Sequence, residues 1–310
     1  MVSSGYVVCI GRSIRDDYYR IDTLPVLGGK VNASYLEWRP GGGMANTASV
    51  VAALGSRCYM LGGMGQDDYT QPLIQSVAKY GVCTDYLDIY PGRPNVVHQI
   101  LLYGEERIIL LQKMPYRLMV RDTPAKRALL QGASFVYSDM LSYKFLPNDH
   151  QLLTQLAAGG TRIFVDAEPT SATDKSDDDF YLQLASVISF NQGAVDYYFG
   201  DRGQQGVLDL IGDSDKIALL TRGKDGVLVC TRNGCTAVPG YPVKAVDTTG
   251  AGDTFSGAFM HALLQQQDPV RAARFACAAS AVCVSSVGGR SGAVSRRQVT
   301  ELMDRYKNIV

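Results

Sequence analysis

The sequence predicts an α/β fold of three layers, a mostly parallel central sheet with helices on both faces, plus a small separate β-sheet. From about residue 134 onward, short apolar runs alternate with longer amphipathic segments, as in sheets built from strand–helix units. Two earlier segments, at about 12–40 and 92–114, alternate polar and apolar residues and do not fit between crossover helices. With 310 residues, 46% of them hydrophobic, one large core is possible, and we expect a single domain over residues 1–310.

The strands of the central sheet are predicted from short apolar runs that turn residues bound on both sides. Because these runs are mostly apolar and do not alternate, they indicate strands that are buried on both faces. In chain order the runs are residues 6–11, 57–62, 134–138, 162–165, 187–190, 216–221, 227–230 and 241–246.

Helices and the small sheet are predicted from the remaining segments. Gly55 and Gly81 follow two helix-like runs as expected C-caps. Two segments around residues 104–106 predict a hairpin. The predicted helices are residues 44–54, 68–80, 254–266 and 272–287, and the predicted strands of the small sheet are 14–27, 30–38, 95–102 and 107–112.

Composition excludes several classes of function. The formal net charge is zero, so nothing favours nucleic acid or an anionic membrane as a partner. No long apolar span and no signal peptide are visible, and we expect a cytoplasmic protein. The seven cysteines are scattered without a CxxC pair, which predicts free structural thiols. Three histidines without an HExxH motif do not favour zinc.

The segment DTTGAGD, residues 247–253, carries the strongest chemical signal in the chain. Two glycines, an alanine and an acid precede a predicted helix, whose N-terminal N–H groups favour a bound anion. A carboxylate at Asp253, beside that anion, is unfavourable unless it has a chemical role. The natural role is to accept a proton from a hydroxyl that attacks a phosphoryl group. The alternative is a Gly-rich loop capped by Asp253.

Other polar residues collect where strands end, and ligands of open α/β sheets bind beyond the carboxyl ends of strands. Asp16 follows the first strand, Asp166 and Asn191 close two later strands, and residues 221–223 close a third. A glycine-rich loop at residues 41–46 precedes a helix. There is no GxxxxGK[ST] and no GxGxxG segment, so neither a P-loop nor the usual dinucleotide site is expected.

Two segments resemble the signatures of the ribokinase-like (PfkB) carbohydrate kinases. GGMANTA at residues 42–48, followed by Leu54 and Gly55, is similar to the first signature, and DTTGAGDTFSG at residues 247–257 is similar to the second. The similar layout covers essentially the whole chain. The resemblance implies an ATP-dependent kinase that phosphorylates a hydroxymethyl group of a sugar or nucleoside. It also implies that the small sheet is a lid over the sugar and a homodimer interface.

The resemblance assigns the chemical step to the second signature. Asp253 matches the catalytic base. The anion hole, which stabilises charge on the transferred phosphoryl group, is matched by Gly250, Ala251 and Gly252.

The sugar site is matched by residues near the start of the chain. Asp16 matches an acceptor for a sugar hydroxyl, and Gly42, Gly43 and Asn46 match the sugar-binding loop. Glycines there allow close backbone approach, and an amide both donates to and accepts from vicinal hydroxyls. Arg107, in the predicted hairpin, either faces the sugar or is a solvated charge.

The nucleotide and a monovalent cation have matches of their own. Gly289 lies where the family closes over the adenine, and Asp247 and Thr249 match positions that bind K⁺ in many members. The nucleotide-binding turn is matched by Thr221, Gly223 and Gly226.

The chain departs from the family at the segment that helps to organise Mg²⁺. The family usually carries Asn-x-x-Glu there, whereas this chain has Asn191 followed by Ala194 at the Glu position. An alanine holds neither metal nor water. We therefore expect Asp166 or Glu168, which follow the adjacent strand, to contribute to the Mg²⁺ shell.

Three functions remain open from the sequence. A sugar or sugar-acid kinase is favoured by the GGGMAN loop and Asp16. A nucleoside kinase would need aromatic residues that stack on a base, and Tyr18, Tyr35 and Trp38 are available. A non-catalytic sugar sensor is supported only by Ala194, and the intact GAGD segment opposes it.

Overall fold

A nine-stranded sheet forms the centre of the computed structural model, which describes residues 5–104, 106–169, 174–285 and 294–307. A four-stranded sheet stands beside it. The strands are β1 (Tyr6–Ile10), β2 (Ile14–Ile21), β3 (Ala33–Gly41), β4 (Arg57–Gly65), β5 (Leu87–Tyr90), β6 (Val97–Tyr103), β7 (Glu106–Leu110), β8 (Phe135–Asp139), β9 (Arg162–Asp166), β10 (Val187–Phe190), β11 (Ile217–Thr221), β12 (Val227–Thr231) and β13 (Gly234–Val238).

The central sheet has the order β13-β12-β11-β10-β9-β8-β1-β4-β5, and the small sheet has the order β3-β2-β6-β7. Seven neighbouring strands of the central sheet pair in parallel, namely β11, β10, β9, β8, β1, β4 and β5. Strands β12 and β13 join the β11 edge in antiparallel pairing. The predicted fold class is confirmed, including the hairpin, which is β6 with β7.

Helices cover both faces of the central sheet, as predicted. The helices are α1 (Gly43–Ala53), α2 (Thr70–Ala78), α3 (Pro124–Gln131), α4 (Met140–Tyr143), α5 (Asp149–Ala158), α6 (Lys175–Leu184), α7 (Gln192–Phe199), α8 (Gly203–Ile211), α9 (Ala251–Leu264), α10 (Pro269–Val284) and α11 (Arg296–Arg305). One core lies under α1, α2, α9, α10 and α11, and the other lies under α3 to α8. No helix of the described residues is long and apolar enough to cross a membrane.

The apolar runs explain why the central strands are buried on both faces. In β1, Val7 and Cys9 belong to one core, whereas Val8 and Ile10 belong to the other. Successive side chains of a strand point to opposite faces, so an uninterrupted apolar run supplies both helical layers at once. This double burial fixes the carboxyl ends of the strands along one edge of the sheet.

The strand predicted at residues 241–246 is wrong. Pro242 has no N–H for a sheet ladder, and the sheet ends at β13. The N–H groups of Val246 and Asp247 instead donate to the carbonyl of Val284, at 2.7 and 3.2 Å. The turn that precedes α9 is therefore held by the end of α10 and not by a strand.

The following helix begins earlier than predicted. Gly250 has a left-handed conformation with φ 75°, and its carbonyl accepts the N–H of Thr254 at 2.8 Å. Helix α9 consequently starts at Ala251, and Asp253 lies inside its first turn. A carboxylate in the first turn is stabilised by the positive end of the helix dipole.

The prediction that all cysteines are free is wrong for two of them. Cys230 and Cys235 stand opposite each other in the β12–β13 ladder and form a disulfide. Their separation of only five residues places them across a tight hairpin. The five remaining cysteines are free, as predicted.

Helices α1 and α9 approach closely at Gly257. A Cβ atom at this position would lie 2.9 Å from the carbonyl oxygen of Thr47 and 3.0 Å from the Cβ of Val50. Both atoms belong to α1, so the missing side chain sets the distance between the two helices. This distance matters because each helix carries a signature of the sequence at its N-terminus.

Gly257→Ala should lower the free energy of unfolding by about 1–3 kcal/mol, because overpacking of a filled helix contact is destabilising. Thermal and urea unfolding would measure it. Gly159→Ala is the matched control, since a Cβ there lies no closer than 3.4 Å to other atoms, and a change within about 0.5 kcal/mol is expected. Equal effects of the two changes would contradict the close-packing argument.

Candidate active site

The loop before α1 brings the backbone close to the end of β1. Gly42 has φ 98°, and a Cβ there would lie 2.7 Å from the carbonyl oxygen of Arg12. Both observations require glycine at this position. The N–H of Asn46 donates to the carbonyl of Gly42 at 3.0 Å, and the Asn46 side chain is buried. The first signature is therefore a rigid turn that aims Asn46 inward.

Asn46 and Asp253, which are 207 residues apart in the sequence, are in direct contact. The Nδ2 of Asn46 donates to Oδ2 of Asp253 at 2.8 Å. The Thr47 hydroxyl donates to the main-chain oxygen of Asp253 at 3.2 Å. A Cβ at Gly43 would lie 3.0 Å from Oδ1 of Asp253. The two signatures therefore form one site, with the carboxylate of Asp253 held from the α1 side.

The turn from Asp247 to Gly252 is fixed by short local contacts. Oδ1 of Asp247 accepts the N–H of Thr249 at 2.8 Å, and the Ser280 hydroxyl donates to the Ala251 carbonyl at 2.9 Å. Gly252 is exposed, and a Cβ there would meet no atom within 4 Å. The space beyond the first turn of α9 is thus open to a ligand, and N–H groups at a helix N-terminus favour an anion there.

A second carboxyl group lies close behind Asp253. The Tyr137 hydroxyl donates to Oδ2 of Asp166 at 3.1 Å, and Thr47 links Tyr137 back to α1 at 3.4 Å. Burial and the charges of Asp253 and Glu168 together raise the pKa of Asp166 to about 8, although the hydrogen bond from Tyr137 opposes them. The two carboxyl groups therefore disfavour simultaneous ionisation unless a cation lies between them.

The end of β10 brings Asn191 to Glu168. Asn191 caps α7 by accepting the N–H of Ala194 at 2.8 Å, and its Nδ2 lies 3.4 Å from Oε1 of Glu168. The Ala194 side chain is fully buried in the core beneath α7. Position 194, where the family usually carries Glu, is therefore surrounded by apolar atoms. Glu168, in contrast, is exposed beside Asn191.

The turn after β11 is compact and has glycines at positions 223 and 226. The Thr221 hydroxyl donates to the carbonyl of Phe190 at 3.2 Å. Gly223 and Gly226 have φ of 55° and 90°, and a Cβ at Gly226 would lie 2.1 Å from the carbonyl of Val238. The turn can present backbone N–H groups to a ligand, while the Thr221 oxygen retains capacity to accept.

Asp16 lies in β2 of the small sheet and faces the glycine loop. A Cβ at Gly41 would overlap the Asp16 carboxylate, at 1.8 Å from Oδ2. The Nδ1 of His98, its neighbour in β6, is 3.7 Å from Oδ1 of Asp16. Burial, with help from the charge of Arg12, lowers the pKa of His98 to about 4, so the imidazole is neutral at physiological pH.

Arg107 reaches from β7 of the small sheet to the turn before α9. Its guanidinium donates to the hydroxyl of Thr249 and lies 3.9 Å from Oδ1 of Asp247. The small sheet is thus linked directly to the second signature. The hydrogen bond and the ion pair of Arg107 among the described residues go to Thr249 and Asp247, and not to Gly42, Gly43 or Asn46, which were predicted to share the sugar site with it.

Most of the predicted residues lie along the edge formed by the carboxyl ends of the strands, and Gly289 lies outside the described residues. Four residues that border the site were not predicted. Arg12 and Asp139 stand at the ends of β1 and β8, so the strand-end rule that found Asp166 could have found them. No sequence signal distinguishes Tyr137 or His98, which enter the site through the pairing of strands.

Comparison with known proteins identifies the family. The sequence model described as "pfkB family carbohydrate kinase" matches residues 4–296. The chain belongs to the pfkB family of carbohydrate kinases. It is accordingly a phosphotransferase that acts on an alcohol group of its acceptor.

Among curated members of the pfkB family, it is 28% identical to a ribokinase of Bacillus subtilis over 301 residues, which is 96% of this chain and 99% of that protein. It is 26% identical to a probable fructokinase-5 of Arabidopsis thaliana, over 80% of this chain and 83% of that protein.

Solved structures show the same pfkB fold. A ribokinase of Arabidopsis thaliana, solved with ribose and ATP, superposes with a TM-score of 0.83 at 21% identity, over 96% of this chain and 98% of that one. A nucleoside kinase of Methanocaldococcus jannaschii superposes with a TM-score of 0.80 at 15% identity, over 98% and 100%. At these identities the likeness concerns the fold alone.

Proposed function

We propose that this pfkB-family protein is an ATP-dependent kinase that phosphorylates a primary hydroxyl of a monosaccharide. The contact of Asn46 with Asp253, beside the open N-terminus of α9, carries the proposal. It joins an amide suited to sugar hydroxyls, a carboxylate suited to proton transfer and a site suited to phosphate. The family membership and the Bacillus subtilis ribokinase support the same activity.

Asp253 is the proposed general base. Its Oδ2 is held by Asn46, and its position in the first turn of α9 favours the ionised form before the reaction. The acceptor hydroxyl would transfer its proton to this carboxylate as the oxygen attacks the γ-phosphorus of ATP in line. The N–H groups of Gly250, Ala251 and Gly252 would stabilise the charge that develops on the transferred phosphoryl group.

The remaining residues would bind the two substrates. Asp16 and the loop containing Gly42 and Gly43 would hold the sugar hydroxyls, because the carboxylate and the bare backbone lie together there. The nucleotide would lie along the carboxyl end of β11, over the turn of Gly223 and Gly226. This arrangement places the γ-phosphoryl group between the sugar and the first turn of α9.

Mg²⁺ fits the oxygen donors between β9 and β10. The carboxyl groups of Asp166 and Glu168 are hard oxygen ligands of the kind that Mg²⁺ or its waters prefer, and the Nδ2 of Asn191 lies next to Glu168. A cation there would also relieve the repulsion between Asp166 and Asp253. When bound, it would neutralise charge on the phosphates. We propose that Asp166 and Glu168 take the role of the glutamate that the family usually carries at the position of Ala194.

The Mg²⁺ assignment predicts that Asp166→Asn and Glu168→Gln each raise the Mg²⁺ concentration needed for half-maximal turnover, by about threefold or more. Each change removes a negative charge near the metal or its waters. The measurement is the initial rate against Mg²⁺ at saturating ATP and acceptor. An unchanged Mg²⁺ requirement in both variants would reject these residues as part of the shell.

A monovalent cation fits Asp247 and Thr249 less well than Mg²⁺ fits Asp166 and Glu168. The side-chain oxygens of both residues face the guanidinium of Arg107 in this structure, which already supplies positive charge. We therefore derive no step from K⁺.

Aromatic packing favours a sugar over a nucleoside as acceptor. The ring of Trp38 packs edge-on against Tyr69 at 5.2 Å, and Tyr35 packs against Tyr19 at 5.5 Å. Tyr18 lies 4.8 Å from the guanidinium of Arg39. These rings are already engaged with side chains of the protein, which leaves them poorly placed to stack on a base.

We also propose that the small sheet closes over the sugar and forms a homodimer. Apolar side chains are exposed on two of its strands, with Tyr35 at 51%, Ile109 at 45% and Leu110 at 46% exposure. Exposed apolar side chains on a small sheet are candidates for a protein interface. Sedimentation velocity at micromolar concentration would show a dimer, and a monomer would contradict this assignment.

Asp253→Asn should lower kcat by about 10³-fold or more while the KM for the acceptor changes little, because the general base and its geometry are lost. ADP release with a panel of ketoses, aldoses, sugar acids and nucleosides measures both constants. Asp304→Asn, at an exposed position of α11, is the control and should behave as the parent protein. Near-normal turnover of Asp253→Asn would contradict the mechanism, and a parent protein that releases no ADP would favour a sensor.

A further inference from the structure

The guanidinium of Arg12 is a cationic group at the carboxyl edge that the proposed mechanism does not use. Arg12 lies two residues after the end of β1 and lines a small cavity together with Gly63, Leu118, Ser142 and Phe145. The side chain is half-buried. Burial lowers the pKa of Arg12, and the charge of Asp139 only partly opposes this effect.

Few partners satisfy this guanidinium. Among the described residues, its one hydrogen bond is a long contact of 3.5 Å from Nη1 to the carbonyl of Gly63. Its Cζ lies 4.6 Å from the centroid of the Phe145 ring. Asp139, the nearby carboxylate, is bound by the N–H and hydroxyl of Ser142 at 2.5 and 3.1 Å, and forms no ion pair with Arg12 within the described residues. Most of the five donors of Arg12 are therefore available.

The arginine lies at the sugar end of the site. Its own carbonyl is the atom that a Cβ at Gly42 would strike, and its charge acts on His98, which lies next to Asp16. Its side chain extends toward Gly63 in β4, whereas the nucleotide-binding turn follows β11. In the order β11-β10-β9-β8-β1-β4, these two points lie at opposite ends.

A half-buried cation that forms no hydrogen bond with a carboxylate needs water or a ligand as its partner, and a guanidinium pairs best with a carboxylate or phosphate in a two-point geometry. We propose that Arg12 binds an anionic group of the acceptor, so that the substrate is an acidic monosaccharide. The anion lies at the end of the sugar distant from the phosphorylated hydroxyl. This inference rests on the proposed kinase activity and specifies its substrate class.

A purely structural arginine would behave differently. In that case Arg12 would only fill the space between β1, β4 and Phe145, and its removal would weaken every acceptor alike through loss of stability. Arg15 offers a matched control three residues away, because its guanidinium is already paired with Asp17 at 2.6 and 2.8 Å and stacks on Tyr69.

The test compares charged and neutral acceptors in pairs: gluconate with glucose, 2-keto-3-deoxygluconate with fructose, and ribose 1-phosphate with ribose. The parent protein should prefer the charged member of at least one pair, and the pair that responds distinguishes a carboxylate from a phosphate. Arg12→Met should lower kcat/KM for the charged member by about 10- to 100-fold, mainly through KM, because charge-assisted hydrogen bonds are lost. The neutral member should change less than about threefold.

Arg12→Lys should retain part of the preference, and Arg15→Met should retain all of it. A parent protein that prefers the neutral members, or an Arg12→Met variant that loses charged and neutral acceptors equally, would overturn the proposal while leaving the kinase function intact. If no acceptor supports ADP release, the proposed kinase function is contradicted, and this result by itself does not concern Arg12. Calorimetric binding of gluconate and ribose 1-phosphate to the parent and to Arg12→Met then decides the role of Arg12, since unaltered or absent binding would refute it.

Discussion

The contact between Asn46 and Asp253 depends on how closely α1 and α9 approach. Each helix begins at a glycine turn, and each turn carries half of the site. A bare backbone at Gly257 lets the helices meet, so the amide of Asn46 reaches the carboxylate at 2.8 Å. Two polar groups that are 207 residues apart in sequence are thereby held in contact, as the proposed role of Asp253 as a catalytic base requires.

The sequence was most informative where structure is local. Gly42 and Gly250 are needed because of their own backbone conformations, so a short segment is sufficient to recognise each turn. Apolar runs revealed the buried strands for a similar reason, and the strand ends then pointed to Asp166 and Asn191. The fold class and the two signatures could therefore be predicted without knowledge of the pairing of distant segments.

The errors and omissions arise where distant segments decide the outcome. Residues 241–246 have the composition of a strand, but the carbonyl of Val284 takes their last N–H groups. Cys230 and Cys235 meet only because β12 and β13 pair in one register. His98 reaches Asp16 through the parallel pairing of β6 with β2, a pairing that neither strand encodes alone. The sequence identified Ala194 as a departure from the family's pattern. It did not show that Glu168 lies beside Asn191 at the N-terminus of α7.

The bond from Arg107 to Thr249 has a consequence for the order of events. It joins the outermost strand of the small sheet to the turn before α9. If the small sheet closes over the acceptor as we propose, this bond belongs to the closed form, and it must break before an acceptor enters and again before the product leaves. Opening would then be a step separate from phosphoryl transfer, and its rate would set an upper limit on the rate of the whole cycle.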